Sequence, residues 1–544
     1  MAHTPLYRQL IRTLQIARRE NLKADGKSPP FTRTAAGWTR RRFIKSAALA
    51  GGGALAAKTL SRATPVLGDD NYDEQPRIAV VGGGIAGLNA AYQLKKAGLK
   101  ATVYEARPRL GGRILSVAGA IGEGLVTDLG GSFINTDHDD MLALVEEFDL
   151  ELFNRVEDAA RFPLSPTGYY FDGRRIPEEE VATLLRPLAQ QIAADAALLD
   201  QDYDKFAPIF DRISATQYLD THADKIPQPF IRTLMESTIR TEYGGEPDES
   251  AALQFLFILP TVNGQAVDLL SYSDETFVVK GGGSQIIARL AAQLPGQIQT
   301  RMRLSKIQSR GTGFRLTFDG DRIVDADYVI MAIPFTVLRH VEIEVQLPGA
   351  LKRFIHEVDL GSNEKLFAGF HQKAWRQEAG FVKDANSDLG FSSAWDATQR
   401  QVDREDGSLM FFLGGNETEV VRRDNPKQVG RQFVNQLNRF TPGLSAASTG
   451  KFMGTQWTQD PLTYGGYTNF KVGQLTEFAD FVYIESDNPA ERQDVQVGNL
   501  FFAGEHVSED YGFMNSGAQT GRLAAAGIVR LISRNPEAGE RETH

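Results

Sequence analysis

Gly82, Gly84 and Gly87 follow the apolar run "RIAVV" (77–81) in the order G-x-G-x-x-G, and the helical pattern "AGLNAAYQLKKAG" (86–98) starts among them. That spacing can hold a pyrophosphate. Gly82 permits a tight turn, Gly84 lets the backbone approach the phosphates, and Gly87 lets the helix pack close to the strand. The helix start then offers free N–H groups and the positive end of its dipole to the anion. Glu105 ends the next apolar run, "KATVYE" (100–105), 18 residues after Gly87. A carboxylate there accepts from ribose hydroxyls and favours an unphosphorylated ribose. Together these make a dinucleotide site that does not choose between NAD and FAD. Other chemistry is excluded by composition. The chain has no cysteine, so it has no disulfide, thiolate metal site, Cys nucleophile or Cys-linked cofactor. Its eight histidines show no metal-ligand spacing, and no metal is expected.

Holding that site takes several stretches of chain. With 544 residues, 42% hydrophobic and 24% charged, the protein can bury a sizeable core, and roughly three domains of about 150 residues fit its length. Strand patterns at "TFVVKGGG", "FRLTFDG", "ADYVIMAIP", "KLFAGFH", "SLMFFLGG" and "NLFFAG" alternate with helical stretches. They predict an α/β protein. Its nucleotide-binding domain comes in three parts (76–149, 276–340, 486–535), interleaved with a second, α+β domain (150–275, mostly helical, and 341–485). A polar tail occupies 536–544. Residues 1–57 carry 11 Lys/Arg against 2 Asp/Glu, a net +9, which leaves −19 on the remainder of a chain whose net charge is −10. An acidic body of this kind argues against a nucleic-acid partner.

The N-terminus reads as an address. "TRRRFIK" (39–45) precedes the Gly/Ala-rich "SAALAGGGALAA", a basic region and a short weakly apolar region. That run is shorter than the ~20 apolar residues a membrane span needs. Arg40 and Arg41 with Phe43, Ile44 and Lys45 resemble a twin-arginine export signal. The resemblance implies the twin-arginine machinery as a partner and a periplasmic or secreted location. Residues 58–75 form a polar linker. In the long segment before the arginines, Tyr7, Leu10, Ile11 and Leu14 have helical spacing among basic residues, a pattern that suits an anionic membrane surface.

The residues just beyond Glu105 separate the two dinucleotides. "EARPRLGGR" places Gly111, Gly112 and Arg113 after the acid, which resembles the glutathione-reductase-like FAD-binding Rossmann fold. Five further motifs appear in order: "TDLGGSFI" (127–134), "VKGGGSQIIARLA" (279–291), "DYVIMAIP" (327–334), "GSNEKLFAGF" (361–370) and "PLTYGGYTNF" (461–470), and "NLFFAGEH" (499–506) leads to "GFMNSGA" (512–518). From about Arg77 to Ile532 the chain resembles the flavin amine oxidase family, which includes monoamine, polyamine and L-amino-acid oxidases.

The resemblance implies roles. Gly112 and Arg113, the loop Gly130, Gly131 and Ser132, and Gly504 would contact FAD, and Glu505 would bond its ribityl chain. Met514 and Ala518 would begin a second helix pointed at the flavin's pyrimidine edge, where its dipole favours the negative charge of reduced flavin. Lys365 would hold a water near flavin N5. Tyr467 and Phe513 would wall an aromatic cage for the amine. Gly466 stands where monoamine oxidases carry the flavin-bonded cysteine, so FAD is expected to be non-covalent. His506 reads as packing. The implied reaction is hydride transfer from an amine to flavin, with O2 or a quinone as acceptor. No arginine follows the Asp-x-Gly loop to receive a substrate carboxylate, which tilts the reading toward monoamines or polyamines. L-amino acids stay open, with Arg232 and Arg240 as candidate cations and Glu236 and Glu242 as candidate readers of a distal ammonium. A desaturase-like or porphyrinogen-oxidising FAD enzyme, a flavin-bound module without turnover, and a homodimer also remain compatible with the sequence.

Overall fold

The computed structural model describes residues 75–534 apart from 272, 422–424 and 487. The segments expected to be an export signal, a helix-spaced N-terminal stretch, a linker and a polar tail lie, all but Gln75, outside the described residues. No described helix is long and apolar enough to cross a membrane.

Ile78–Val81 is buried along its whole length, as a strand covered on both sides must be. It lies near the middle of a six-stranded sheet ordered Ile298–Thr300, Ala101–Glu105, Ile78–Val81, Tyr328–Met331, Leu500–Phe502, Gln496–Val497. The first five strands are parallel and the last is antiparallel. Three separated pieces of chain therefore build one sheet. Helix Ile85–Lys96 joins the two leading strands, and the C-terminal helix Met514–Arg534 packs against it. Glycines allow this close approach: a Cβ on Gly521 would lie 2.1 Å from the Ala86 carbonyl oxygen, and one on Gly517 would lie 2.7 Å from Ile85. The Asn89 amide donates to the Ala518 carbonyl at 2.7 Å in the buried seam. Much of the glycine content of "GFMNSGAQTG" thus serves helix packing.

The strand predicted at "FRLTFDG" joins a separate four-stranded sheet spanning Leu304 to Glu344. A larger, seven-stranded sheet runs Ser448–Gly454, Asn363–Phe370, Gly407–Gly414, Ser393–Asp396, Asp384–Ser387, Thr167–Phe171, Arg174–Arg175. Its last two strands come from the segment read as mostly helical. Helices do dominate that segment, with Glu178–Gln201 and Pro229–Tyr243 the longest. Asn363–Phe370 and Gly407–Gly414 are buried throughout, so side chains on both faces of these central strands meet protein.

Candidate active site

Both ends of the proposed cofactor site open onto one cavity of about 660 Å³, within the range of small-molecule sites. At its nucleotide end, Gly82 takes φ +112°, and a Cβ there would lie 2.5 Å from the Ala332 carbonyl oxygen. Gly87 is off the cavity wall. A Cβ on it would sit 2.0 Å from the Gly82 carbonyl oxygen, so its role is the predicted helix–strand packing. Gly84 has nothing within 4 Å of a would-be Cβ. The chain keeps that space clear at a helix start, as a phosphate requires. Glu105 is buried and accepts from the Gly83 and Arg107 N–H groups, both at 2.7 Å. These bonds fix the carboxylate at the strand end.

Arg113 ties three distant motifs together. Its Nη1 donates to the Gly466 carbonyl at 2.8 Å and to Glu505 Oε1 at 2.7 Å. Glu505 Oε2 accepts from Thr468 Oγ1 and from the Gly512 N–H, both at 2.9 Å. Burial opposes the charge on Glu505, yet Arg113 and the Gly512 N–H hold its carboxyl below the usual range. His506 is packed, as expected. Its ring lies edge-on to Phe335 at 4.4 Å. Both ring nitrogens are buried without partners, the residue lines the cavity, and burial pulls its pKa down to about 4. The imidazole is therefore neutral and enclosed, packed against Gly504 and Phe335.

The candidate chemical centre is built by the 127–134 loop and the 363–370 strand. Lys365 Nζ donates to the carbonyls of Gly130 (2.6 Å) and Asp128 (3.3 Å) and to Ser132 Oγ (2.9 Å). Burial pulls its pKa down to about 8, against the pull of Asp128 and Glu275. The loop is itself fixed. Asp128 pairs with Arg400 and accepts from Ser116 and the Gly283 N–H, while a Cβ on Gly130 would overlap the Arg113 carbonyl. A Cβ on Gly131 would meet Met514 at 2.7 Å, which puts the second helix start directly against the loop. Glu364 sets the strand by accepting from Thr455, Trp457 and Thr458.

Tyr467 and Phe513 line the same cavity. The Tyr467 hydroxyl donates to the Thr241 carbonyl, and burial raises its pKa well above the usual value. Phe513 packs edge-on against His138 at 4.9 Å. Gly512, the neighbour of Phe513 along the chain, lies beside Tyr467: a Cβ there would be 4.0 Å from the Tyr467 ring. The glycine cradle and the open space at Gly84 fit a bound dinucleotide.

A family model for flavin-containing amine oxidoreductases matches residues 85–529. The chain belongs to this family. A nicotine dehydrogenase of Pseudomonas putida is 25% identical over 519 residues, 92% of this chain and 99% of that protein. The flavin-containing amine oxidase B of Mus musculus is 25% identical over 482 residues, 85% of this chain and 87% of that protein. Among solved structures, a cyclohexylamine oxidase from Brevibacterium oxydans superposes with a TM-score of 0.70 at 22% identity, covering 85% of this chain and all of that one. A putrescine oxidase bound to putrescine gives 0.68 at 21%, covering 84% and 99%. These two show the shared fold.

This flavin-containing amine oxidoreductase places several predicted residues elsewhere. Ala518 is buried in the helix seam, off the cavity wall. Arg232 pairs with Asp220 and Glu236 on one helix face, and Arg240 pairs with Glu246. None of Arg232, Arg240 and Glu236 lines the cavity, whereas Glu242 does. Helical periodicity explains this: Thr238, Thr241 and Glu242 occupy one face of Pro229–Tyr243, and the arginines another. Sequence reasoning missed Trp395, Trp457, Tyr169, Asp268 and Lys383, all on the wall. Trp457 carried a signal, since it stands just upstream of "PLTYGGYTNF". Tyr169 lies on a strand that pairs with a segment more than 200 residues away, and the other three carry no motif that marks them.

Proposed function

We propose that this enzyme oxidises primary or secondary amines lacking a carboxylate, using non-covalent FAD in a glutathione-reductase-like Rossmann domain. The observation that carries the substrate reading is the charge on the cavity wall. The candidate carboxylate-binding arginines are turned away and paired with acids. Glu242, Asp268 and Glu275 line the cavity; of the lysines on the same wall, Lys383 stands 4.0 Å from Asp384 and Lys365 is turned onto the 127–134 loop. An ammonium entering this space meets complementary charge, and a carboxylate meets repulsion.

When bound, FAD supplies the hydride acceptor for the carbon alpha to nitrogen, and the imine released is hydrolysed to a carbonyl and an amine or ammonia. The Gly82–Gly87 turn would hold the pyrophosphate, Glu105 the ribose, and Glu505 with Arg113 the ribityl side. Lys365 has its three donors directed at the 127–134 loop, so it positions that loop and presents a charge that titrates near neutrality. Tyr467 and Phe513 orient the amine and exclude water. Gly466 suits non-covalent binding, because the chain has no cysteine and even a Cβ there would press within 3.0 Å of Asn363. The arginine pair at 40–41 supports export of the folded, loaded enzyme, with O2 or a quinone taking the electrons.

The test is anaerobic bleaching of the flavin with a panel of alkylamines, diamines and neutral, acidic and basic L-amino acids. Bleaching by amines is expected. Bleaching by amino acids alone would overturn the substrate class, and bleaching by none would overturn turnover itself. Flavin absorbance that stays with acid-precipitated protein would sink the non-covalent assignment.

A further inference from the structure

The seven-stranded sheet lays a row of residues across five neighbouring strands. Lys365 pairs with Phe412, Phe412 with Ser393, Ser393 with Asn386, and Asn386 with Tyr169. Residues in register share a face, and all five line the cavity. Four inter-strand steps of about 4.8 Å put Tyr169 roughly 19 Å from Lys365. The cavity therefore runs from the chemical centre along the sheet to a second, distant end.

That end is built from Tyr169 and carboxylates. Asp384 lies two residues before Asn386 on the same strand face, accepts from Thr167 Oγ1 at 2.6 Å, and lines the cavity. Glu178 and Asp268 join it from the helix start and the neighbouring hairpin. One lysine, Lys383, faces two of these three acids, Asp384 at 4.0 Å and Asp268. Tyr169 is only 2% exposed. Its hydroxyl has no hydrogen-bond partner among the described residues. Burial raises its pKa well above the usual value, and the nearby Glu178, Asp384 and Asp268, which line the same cavity, push the same way. Among the described residues no acidic group has the arrangement to hold a metal ion. A phenol with a free hydroxyl oxygen amid carboxylates is instead a receptor for an organic ammonium, the oxygen accepting its hydrogen bond and the ring face its charge.

We infer that the Tyr169–Asp268–Asp384 end of the cavity binds a second cationic group of the substrate, an aliphatic amine whose other ammonium lies far from the carbon oxidised. This rests on the amine-oxidation reading above and narrows it to long diamines or oligoamines. The sheet row acts as the ruler.

The experiment compares n-alkylamines with α,ω-diamines of equal length in anaerobic flavin bleaching of the holoenzyme. Long diamines should half-saturate at concentrations about tenfold lower than their monoamine counterparts, a ratio typical of one added charged contact. Short diamines should show no advantage. The advantage should shrink as salt is raised, and should fall at least about threefold in Asp268→Asn and Tyr169→Phe. Tyr169→Phe keeps the buried ring, so the test survives if the Asp268 variant folds poorly. Equal half-saturation at every length would overturn the subsite, as would an advantage independent of length, or one unaltered in both variants. If neither series bleaches the flavin, amine oxidation itself falls, and this inference with it.

Discussion

The Lys365 ammonium donates to the Gly130 carbonyl at 2.6 Å, across 235 residues of sequence. The contact joins the second strand of the larger sheet, Asn363–Phe370, to the loop beside the second helix start. It also buries a cation among backbone oxygens, which holds Lys365 within reach of physiological titration.

Lys365 should impose a pH signature. Its folded pKa of about 8 lies below the ordinary lysine value of 10.5, so the native state penalises the charged form. The lysine therefore lowers stability below pH 8, and that penalty lifts as pH rises from about 8 toward 10.5. A wild-type pH–rate profile should show an inflection near 8 that is lost in Lys365→Met. An inflection that persists in the variant would assign it to the bound amine instead.

Gly84 and Gly87 should separate folding from cofactor binding. Gly84→Ala meets nothing in the protein, so apoprotein melting should stay within about 0.5 kcal/mol of wild type while FAD affinity falls. Gly87→Ala drives a methyl into the Gly82 carbonyl and should lower both. Thermal melts of apoprotein and FAD titration distinguish the two.

Removing Arg113 should cost more than a hydrogen bond. Arg113→Ala leaves the buried Glu505 carboxylate without its counter-charge, a loss of about 3–5 kcal/mol. Arg113→Lys keeps the charge and should recover part of the loss. Since Glu505 has its pKa lowered, its contribution is present above the normal carboxylate pKa and disappears as pH falls through the folded value. Denaturant midpoints of wild type and both variants between pH 3 and 7 check this. Wild type and Arg113→Ala should converge toward acid.

Export should depend on the arginine pair. With Arg40→Lys and Arg41→Lys combined, FAD-loaded enzyme should accumulate inside the cell. Continued export, read by fractionation and flavin fluorescence, would remove the twin-arginine assignment.

Local sequence determined the parts whose geometry is local. The turn at Gly82–Gly87, the acid at Glu105 and the helix after them depend on neighbours along the chain, so spacing alone carries them. The ordered motifs around Arg113, Gly130, Lys365, Tyr467 and Glu505 also marked the residues that meet, because a shared fold preserves their order. Tertiary structure decided which faces look inward. Whether Arg240 or Glu242 reaches the cavity depends on how one helix rotates against the large sheet, and hydrophobic periodicity does not fix the roles of polar positions near the boundary. The Lys365–Tyr169 row was invisible for a related reason. Strand register is set by packing between segments up to hundreds of residues apart, and no single stretch of chain contains that information.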